Sequence, residues 1–543
     1  MDLVLDYIAL GVIEVFYTAD GTFDWLPIAM VFAGLMTGIA VGATPGLNGP
    51  FAMALSLPVL IWAFGVSDEA LLPILGFLIG VMKGATVGGA VPAILFNTPG
   101  TPDAYLTTLD GHPMALKGQG PKALKVAHFS SVCGDTLSDI ALFVTAPVLA
   151  IMIERVLNLP EKAALIILSL SFMAAVAGRE PLKGMAIGVL GMLVALIGST
   201  LSGAGPRMTF GMPELGGGLP LTSAILGILI MGEVFMGIED AARQRLASTP
   251  NAPPSALPEP HPSTRLSRDG DNAFPWHERR RLLPRIVTSA AIGSAIGALP
   301  GIGTTLAATL GYDVARRASK TPERFGTGDP EGVAATEAAN SAVSGANLIP
   351  VISLGIPGNF AAVFIILAVE SVGDFTFGPQ VFRFTEIREI EGFGTIVNAD
   401  LVLAFAMFTL MVLANLFNWT VGGVFLRSLG ILARAPKSIM LPIVLLICLT
   451  AVYAQDGGFI AIWVVLIFGV IGYVLRRLEI SILPFVIGFL LSPQLEELIR
   501  GGFSASGGDP YFLLKSPIAV TFLVMAVMLL AFANGRRGGE TSP

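Results

Sequence analysis

Charge is scarce in this sequence. Charged residues make up 13% of the 543 positions, whereas hydrophobic residues make up 54%, and soluble domains carry about 25% charged residues. Long runs such as Ser438–Tyr453 and Ile518–Phe532 contain no charge at all. The composition therefore predicts a polytopic membrane protein. Because lipid cannot hydrogen-bond the backbone, we expect helical spans, and these runs lack the alternation of barrel strands.

Cysteine and histidine are also rare, since the sequence contains two cysteines and four histidines. Cys133 and Cys448 lie in apolar surroundings, and we interpret them as small core residues without a metal or disulfide. The HExxH, GxSxG and Walker A motifs are absent, since His277-Glu278 is followed by Arg279 in a basic loop. The sequence thus predicts that the chain is not an enzyme, that it has no cofactor and that it has no nucleic-acid partner. Energy from ATP would have to come from another subunit.

The N-terminal segment 1–24 contains no Lys or Arg, and the first basic residue is Lys83. A cleaved signal peptide begins with a positively charged region, which this segment lacks. Cytoplasmic loops are enriched in Lys and Arg, and this segment has neither. We therefore expect this segment to face outward. Leu3–Phe16 is apolar apart from two acidic residues, and we predict an interfacial amphipathic helix there.

The charges that flank the membrane segments predict an inverted repeat. Trp25–Phe64 has acidic flanks, so it enters and leaves from outside, whereas Arg285–Leu310 has basic flanks, so it enters and leaves from inside. Like-patterned halves that face opposite ways are typical of secondary transporters with broken helices. We predict an all-α fold with about 11 to 12 transmembrane segments. The predicted parts are a first membrane repeat at 25–238, a cytoplasmic linker at 239–284, a second repeat at 285–534 and a cytoplasmic tail at 535–543.

Four Pro-Gly steps interrupt apolar segments, two in each half: Pro45-Gly46, Pro99-Gly100, Pro300-Gly301 and Pro357-Gly358. Such a step ends one helix and lets another begin, and within a membrane the freed backbone groups need a protein or water-filled cavity. A new helix N-terminus there attracts anions. A kink or packing notch is the alternative, and whether each segment turns back or spans is open. The polar side chains beside the breaks are Thr44, Asn48, Asn97, Thr98, Thr101, Thr304, Thr305 and Asn359.

Two further sets of polar residues lie in apolar sequence. Glu337, Asn340, Ser344 and Asn347 follow the spacing of one helix face. We predict cation contacts from Asn340, Ser344 and Asn347, and an inner-interface position is the alternative for Glu337.

Lys83 stands alone in an apolar span, and Asp135 and Asp139 share the face of another predicted helix. A buried Lys needs a partner, so an ion pair with either Asp is a hypothesis. Snorkelling of Lys83 to the interface is the alternative.

The long motifs around these breaks carry a family resemblance. GALPGIGTTLAATLGYDVARRASKTPERFGTGDPEGVAATEAANSAVSGANLIPVISLGIPGNF, GATPGLNGPFAMALSLP and GGAVPAILFNTPGTPDAYLTTLDGHPMALKGQGPKAL closely resemble the large membrane subunit of the tripartite tricarboxylate transporters, the TctA family. The resemblance covers most of Gly34–Phe382. It adds Pro45, Gly46, Pro99, Gly100, Gly301, Asn340, Gly355, Pro357 and Gly358 to the expected substrate site.

The resemblance implies a multi-pass protein of the bacterial inner membrane. The distribution of Lys and Arg along the chain predicts its N-terminus outside and its C-terminus inside. The resemblance also implies two partners, a small four-helix membrane subunit and a periplasmic solute-binding protein. The expected substrates are di- or tricarboxylates such as citrate, and the expected driving force is a sodium or proton gradient. Lys83 and Asp135 depart from the family pattern, which leaves the carboxylate open. The alternatives are another organic-anion carrier or channel without a binding protein, or a membrane-embedded enzyme.

Overall fold

A computed structural model of the protein describes residues 2–18, 20–44, 47–99, 101, 104–177, 181–198, 205–247, 272–373, 375, 377–384, 388–390, 394–428, 442, 445–450, 452–453 and 458–535. Helices dominate this part of the chain, and the predicted all-α membrane fold is confirmed. The first half contains α1 Asp2–Phe16, α2 Leu26–Gly42, α3 Gly49–Phe64, α4 Asp68–Gly88, α5 Ala90–Phe96, α6 Tyr105–Met114, α7 Gly120–Val156, α8 Leu159–Ala177, α9 Pro181–Ala195, α10 Leu221–Leu226 and α11 Gly232–Ala247.

The second half begins with an order of helices and breaks like that of the first. It contains α12 Trp276–Gly297, α13 Thr304–Ala318, α14 Pro330–Ala346, α15 Leu348–Leu354, α16 Phe360–Val372, α17 Ala399–Phe417, α18 Gly423–Ser428, α19 Phe459–Arg477, α20 Leu483–Ala505, α21 Phe512–Lys515 and α22 Pro517–Gly535. A short antiparallel hairpin, β1 Arg388–Ile390 and β2 Gly394–Ile396, pairs Arg388 with Ile396.

Among the described residues, five helical segments are long and apolar enough to cross a membrane. They are Asp68–Phe96, Tyr105–Val156, Leu221–Asp240, Ala399–Leu426 and Phe459–Arg477. Shorter apolar helices, such as α2, α3 and α16, flank the predicted breaks. The predicted number of crossings and the opposite orientation of the halves stay predictions.

The chain forms two compact units, and each draws on both halves of the sequence. The first unit comprises Met1–Ala150, Ser248–Leu299 and Gly303–Pro436. The second unit comprises Ile151–Ala247, Pro300–Ile302 and Lys437–Pro543. The predicted repeats and these packing units therefore divide the chain in different ways.

Glycine rows bring α2 and α4 of the first unit into backbone contact. A Cβ atom at Gly34, Gly38 or Gly42 would collide with a carbonyl oxygen of α4. Reciprocally, a Cβ atom at Gly80 or Gly84 would collide with a carbonyl oxygen of α2. Such small residues let apolar helices approach closely where no hydrophobic force drives them together.

Replacement of Gly38 by alanine is expected to weaken this contact. The added methyl group would meet the Val81 carbonyl, which cannot move without moving α4, and overpacking of this kind costs roughly 1–3 kcal/mol. The thermal unfolding of the purified protein in detergent measures the effect. Gly216→Ala is the matched control, because nothing lies within 4 Å of its added Cβ atom. An equal loss of stability in both variants would refute the packing argument.

The N-terminal helix α1 packs against α17 within the first unit. Tyr7 is fully buried, and its hydroxyl accepts a hydrogen bond from the Asn398 backbone N–H at 3.1 Å. Gly11 lies directly against Phe405 and Ala406. The predicted helix is therefore formed, and it is tied to the unit by one buried face.

The second unit uses the same kind of close helix contact. Gly191 of α9 and Gly488 of α20 each lie against a backbone carbonyl of the other helix. Gly472 of α19 lies against the Ile228 carbonyl, and Arg476 donates hydrogen bonds to the carbonyls of Ile228 and Leu229 at 2.9 and 2.8 Å. These carbonyls lie in the π-helical turn Gly227–Met231, where the regular helix ladder is interrupted.

Candidate functional site

Two short helices of the first unit, α5 and α15, have the same construction. Each has seven residues with proline at the third, Pro92 or Pro350. Each ends at a left-handed residue, Asn97 with φ 53° or Gly355 with φ 73°. The next N–H returns to the carbonyl of the helix's own proline at 3.2 Å in both cases. The Pro-Gly step follows two residues after the left-handed residue in both copies, so the two breaks correspond residue by residue.

Asparagine caps begin the helices that follow two of the breaks. The Asn48 Oδ1 atom accepts a hydrogen bond from the Phe51 N–H at 2.9 Å, at the start of α3. The Asn359 Oδ1 atom accepts one from the Ala362 N–H at 2.9 Å, at the start of α16. Such caps satisfy one of the free N–H groups of a helix N-terminus. The remaining N–H groups keep the positive end of the helix available to an anion.

Several of the first-half break residues gather at the C-terminal end of α4. A Cβ atom at Gly49 would lie 2.9 Å from the Ala85 Cβ atom, and one at Gly89 would lie 3.2 Å from the Thr101 hydroxyl. Thr44 is buried and donates its hydroxyl to the Ala40 carbonyl at 2.9 Å. The breaks before α3 and after α5 therefore meet around one end of α4.

The predicted polar stripe lies on α14 and on Asn347, which caps its C-terminus, and α14 is buried from Glu331 to Ala346. Asn340, Ser344 and Asn347 are 3%, 6% and 5% exposed. Glu337 is fully buried and accepts hydrogen bonds from the hydroxyls of Thr107 at 2.5 Å and Ser131 at 2.9 Å. Amide and hydroxyl oxygens of the stripe are the hard ligands that a sodium ion would use.

The three charges singled out from the sequence meet inside the first unit. The Lys83 Nζ atom on α4 lies 2.7 Å from the Asp139 Oδ2 atom and 3.7 Å from the Asp135 Oδ1 atom on α7. Lys83 and Asp135 are fully buried, and Asp139 is 9% exposed. Lys83 therefore does not snorkel. Asn415 of α17 donates its amide to the Asp139 Oδ2 atom at 2.7 Å.

Asp110 of α6 forms a carboxylate cradle for the loop that precedes α14. Asp110 is fully buried, and its Oδ1 atom accepts the backbone N–H groups of Gly326, Gly328 and Asp329 at 2.8–2.9 Å. Its Oδ2 atom accepts the Tyr312 hydroxyl of α13 at 2.9 Å. Asp329 in turn caps α14 by accepting the Glu331 N–H. This network sets where α14, with its polar stripe, begins.

The structure does not gather all of the predicted site residues. Asn48 and Asn97 are exposed, Thr304 is half-buried, and Thr305 is exposed at the start of α13. Gly301 belongs to the second unit, where it lies against Met173. Pro45, Gly46 and Gly100 lie outside the described residues. The half-buried residues at the breaks are Thr98, Pro99 and Asn359, and Gly355, Pro357 and Gly358 are buried.

Sequence reasoning missed two residues that the structure places in polar networks, Asp110 and Asn415. Asn415 is a single amide in the apolar run of α17, and polar residues within membrane helices usually face a partner. That rule could have found it. Asp110 lies in a loop-like motif rich in Thr and Pro, and its partners are mainly backbone N–H groups distant in sequence, which no side-chain pattern reveals.

Comparison with known proteins places these features in a family. The family model of the tripartite tricarboxylate transporter TctA family matches residues 28–487. The chain is 28% identical over 510 residues to an uncharacterized 52.8 kDa protein in the TAR-I ttuC′ 3′ region of Agrobacterium vitis, and the match covers 93% of each chain. It is 29% identical over 245 residues to an uncharacterized protein in the TAR-II ttuC′ 3′ region of the same organism, which covers 44% of this chain and 93% of the relative.

The matched region contains every predicted break and the buried polar residues of α4, α7 and α14. It also contains both copies of the short helix that ends at a left-handed residue. The chain is a multi-pass membrane protein and belongs to the tripartite tricarboxylate transporter TctA family.

Proposed function

We propose that this chain is the large transmembrane subunit of a secondary transporter that imports di- and tricarboxylates, coupled to a sodium or proton gradient. It works by alternating access with a small four-helix membrane subunit and a periplasmic solute-binding protein. It resides in the bacterial inner membrane with its N-terminus outside and its C-terminus inside. It moves its solute unchanged and needs no cofactor apart from the coupling ion.

The observation that carries this proposal is the matched construction of α5 and α15. The helices α5 and α15 end at equivalent positions, each at a left-handed residue two residues before a Pro-Gly step. Backbone groups that a continuous helix would pair are therefore left free at both breaks. Secondary transporters use such breaks near the membrane midplane, where helix N-termini face anionic groups and freed carbonyls face the cation. The capped N-termini of α3 and α16 and the buried amides of α14 supply the polar groups that carboxylate recognition requires.

Uptake into sealed vesicles tests the proposal. Vesicles that contain this chain and its small subunit should accumulate labelled di- or tricarboxylates when the binding protein and an inward cation gradient are present. Uptake should fall when either is withheld. Solute that is recovered chemically changed would indicate an enzyme. Uptake that depends neither on the binding protein nor on the cation gradient would indicate a carrier or channel without coupling.

The Asn340 amide and the Asn97 position should both matter for uptake. Asn340→Ala removes a buried amide from α14, and Asn97→Gly removes an amide while keeping the left-handed backbone that alanine would strain. We expect each variant to lose at least about tenfold in initial uptake rate, which corresponds to about 1.4 kcal/mol. Asn158→Ala is the matched control, because this asparagine is exposed in the second unit. If both site variants took up solute at the rate of the control, Asn97 and Asn340 would not belong to the substrate site.

A further inference from the structure

The buried cluster of Lys83, Asp135 and Asp139 carries more negative than positive charge. Two carboxylates face a single ammonium group, so the fully ionised cluster has a net charge of minus one. All three side chains are at least nine-tenths buried. An unbalanced charge in such surroundings is strongly unfavourable, so the cluster requires one more positive charge.

The geometry shows which carboxylate keeps its own charge. The Asp139 Oδ2 atom receives both the Lys83 ammonium and the Asn415 amide at 2.7 Å. Two such donors stabilise the ionised form. Asp139 is therefore the carboxylate that balances Lys83.

Asp135 lacks this support. Neither of its oxygens has a hydrogen-bond partner within the described part of the chain, and its ion-pair contact there is the 3.7 Å approach to Lys83. The Ser344 hydroxyl of α14 faces Asp135, is 6% exposed and also has no hydrogen-bond partner among the described residues. A serine hydroxyl in this place can donate a hydrogen bond to the ionised Asp135 and can accept one from the protonated form, so Asp135 has a neighbour for both states.

No other charge in the described surroundings can balance Asp135. Glu337 of α14 and Asp110 of α6 are carboxyl groups and supply no positive charge. The lysines of α7 are engaged elsewhere, Lys122 with Glu278 at 2.9 Å and Lys125 with the Asn272 carbonyl at 2.6 Å. The other charged or titratable residues on α4, α7, α14, α16 and α17 are Asp68, Glu69, His128, Cys133, Glu154, Arg155, Glu331, Glu370 and Asp400. The nearest of these along α7, Cys133 and His128, are a thiol and an imidazole that is bonded to Asn418.

The arrangement favours a proton over a metal ion as the missing charge. A sodium ion at the Asp135 carboxylate would lie beside the Lys83 ammonium, and two cations a few ångströms apart in a buried site repel strongly. A proton bound to a carboxyl oxygen adds no second cation, because it removes a negative charge.

We propose that Asp135 is a proton-binding site, in which one carboxyl oxygen takes a proton from water and releases it again while Asp139 stays ionised beside Lys83. This proposal rests on the proposed function in one respect, since the proton would then be a coupling ion. A groove of about 350 Å³ on the first unit is lined by Asp139, Asn415, Thr136 and Trp419 among others. The groove reaches the edge of the cluster at Asp139, and the rest of its lining is mainly apolar.

Infrared spectroscopy of the purified protein tests the site without transport. A protonated, buried carboxylic acid gives a carbonyl stretch that shifts on transfer to heavy water, and we expect this band at neutral pH. Asp135→Asn imitates the protonated side chain in size and should fold normally but lose the part of the band that Asp135 contributes. Glu337→Gln removes the fully buried carboxyl group of α14 and should keep the Asp135 contribution to the band. Asp139→Asn should also lose it, because Asp135 must then ionise to balance Lys83.

A spectrum of Asp135→Asn that keeps the full band intensity of the unaltered protein, or no such band in the unaltered protein, would overturn the proposal. Vesicle uptake supplies the functional arm. An inward proton gradient should stimulate carboxylate uptake by the unaltered protein, and Asp135→Asn should lose that stimulation while retaining solute exchange without a gradient. Stimulation that survives in Asp135→Asn would also count against the site. If no carboxylate is taken up under any gradient, the proposed function fails, and the infrared result still decides the proton site.

Discussion

Replacement of Asp110 by alanine is expected to destabilise the folded protein by roughly 3–5 kcal/mol. The change leaves three backbone N–H groups, those of Gly326, Gly328 and Asp329, without their acceptor in a buried site. Each unsatisfied buried donor costs about 1–3 kcal/mol. The loss should appear as a lower thermal unfolding temperature in detergent and as faster proteolysis in the loop before α14.

Two milder changes at the same place separate the cradle from its neighbours. Tyr312→Phe removes a single hydrogen bond to Asp110 and should cost about 1 kcal/mol. Asp110→Asn keeps one oxygen acceptor but loses the charge, so its effect should fall between the other two. If Asp110→Ala were no worse than Tyr312→Phe, the backbone N–H groups would have other partners and the cradle would not hold the start of α14.

Replacement of Lys83 by methionine is expected to cost about 3–5 kcal/mol, because removal of one member of a buried ion pair leaves the other charge uncompensated. Asp139 would lose the ammonium that lies 2.7 Å away, and the Asn415 amide alone cannot neutralise it. Protein yield, monodispersity in detergent and the unfolding temperature measure the loss. The apolar stem of lysine is matched by methionine, so lost packing contributes little.

The double variant Lys83→Met, Asp139→Asn should recover most of that stability. It removes one positive and one negative charge together, and the asparagine introduced at position 139 retains an oxygen that can accept the Asn415 amide. A similar double variant that pairs Lys83→Met with Asp400→Asn is the control, since Asp400 lies in the first turn of α17 and is not an ion-pair partner of Lys83. Equal stability of the two double variants would show that the pair does not stabilise the fold.

Much of this fold could be predicted from the sequence. Low charge and long apolar runs determine a helical membrane protein, because lipid leaves the backbone no other partners. The Pro-Gly steps determine where helices stop, since proline lacks an N–H and its ring blocks the preceding turn. The sequence alone also shows that Pro92–Gly100 and Pro350–Gly358 are equivalent, because each begins with proline and ends with a Pro-Gly step seven residues later. Lys83 in an apolar span required a carboxylate partner, and the two candidates on α7 could be named in advance.

Only the tertiary structure decided how these parts meet. Whether Asp135 or Asp139 receives the ammonium depends on the rotation and depth of α7 against α4, which helical spacing leaves open because the two residues share one face. The role of Asn415 depends on α17, far away in the sequence. The Asp110 cradle depends on backbone N–H groups, which every sequence possesses and no motif marks. The two compact units take helices from both halves, because close packing between helices follows matched surfaces rather than order along the chain.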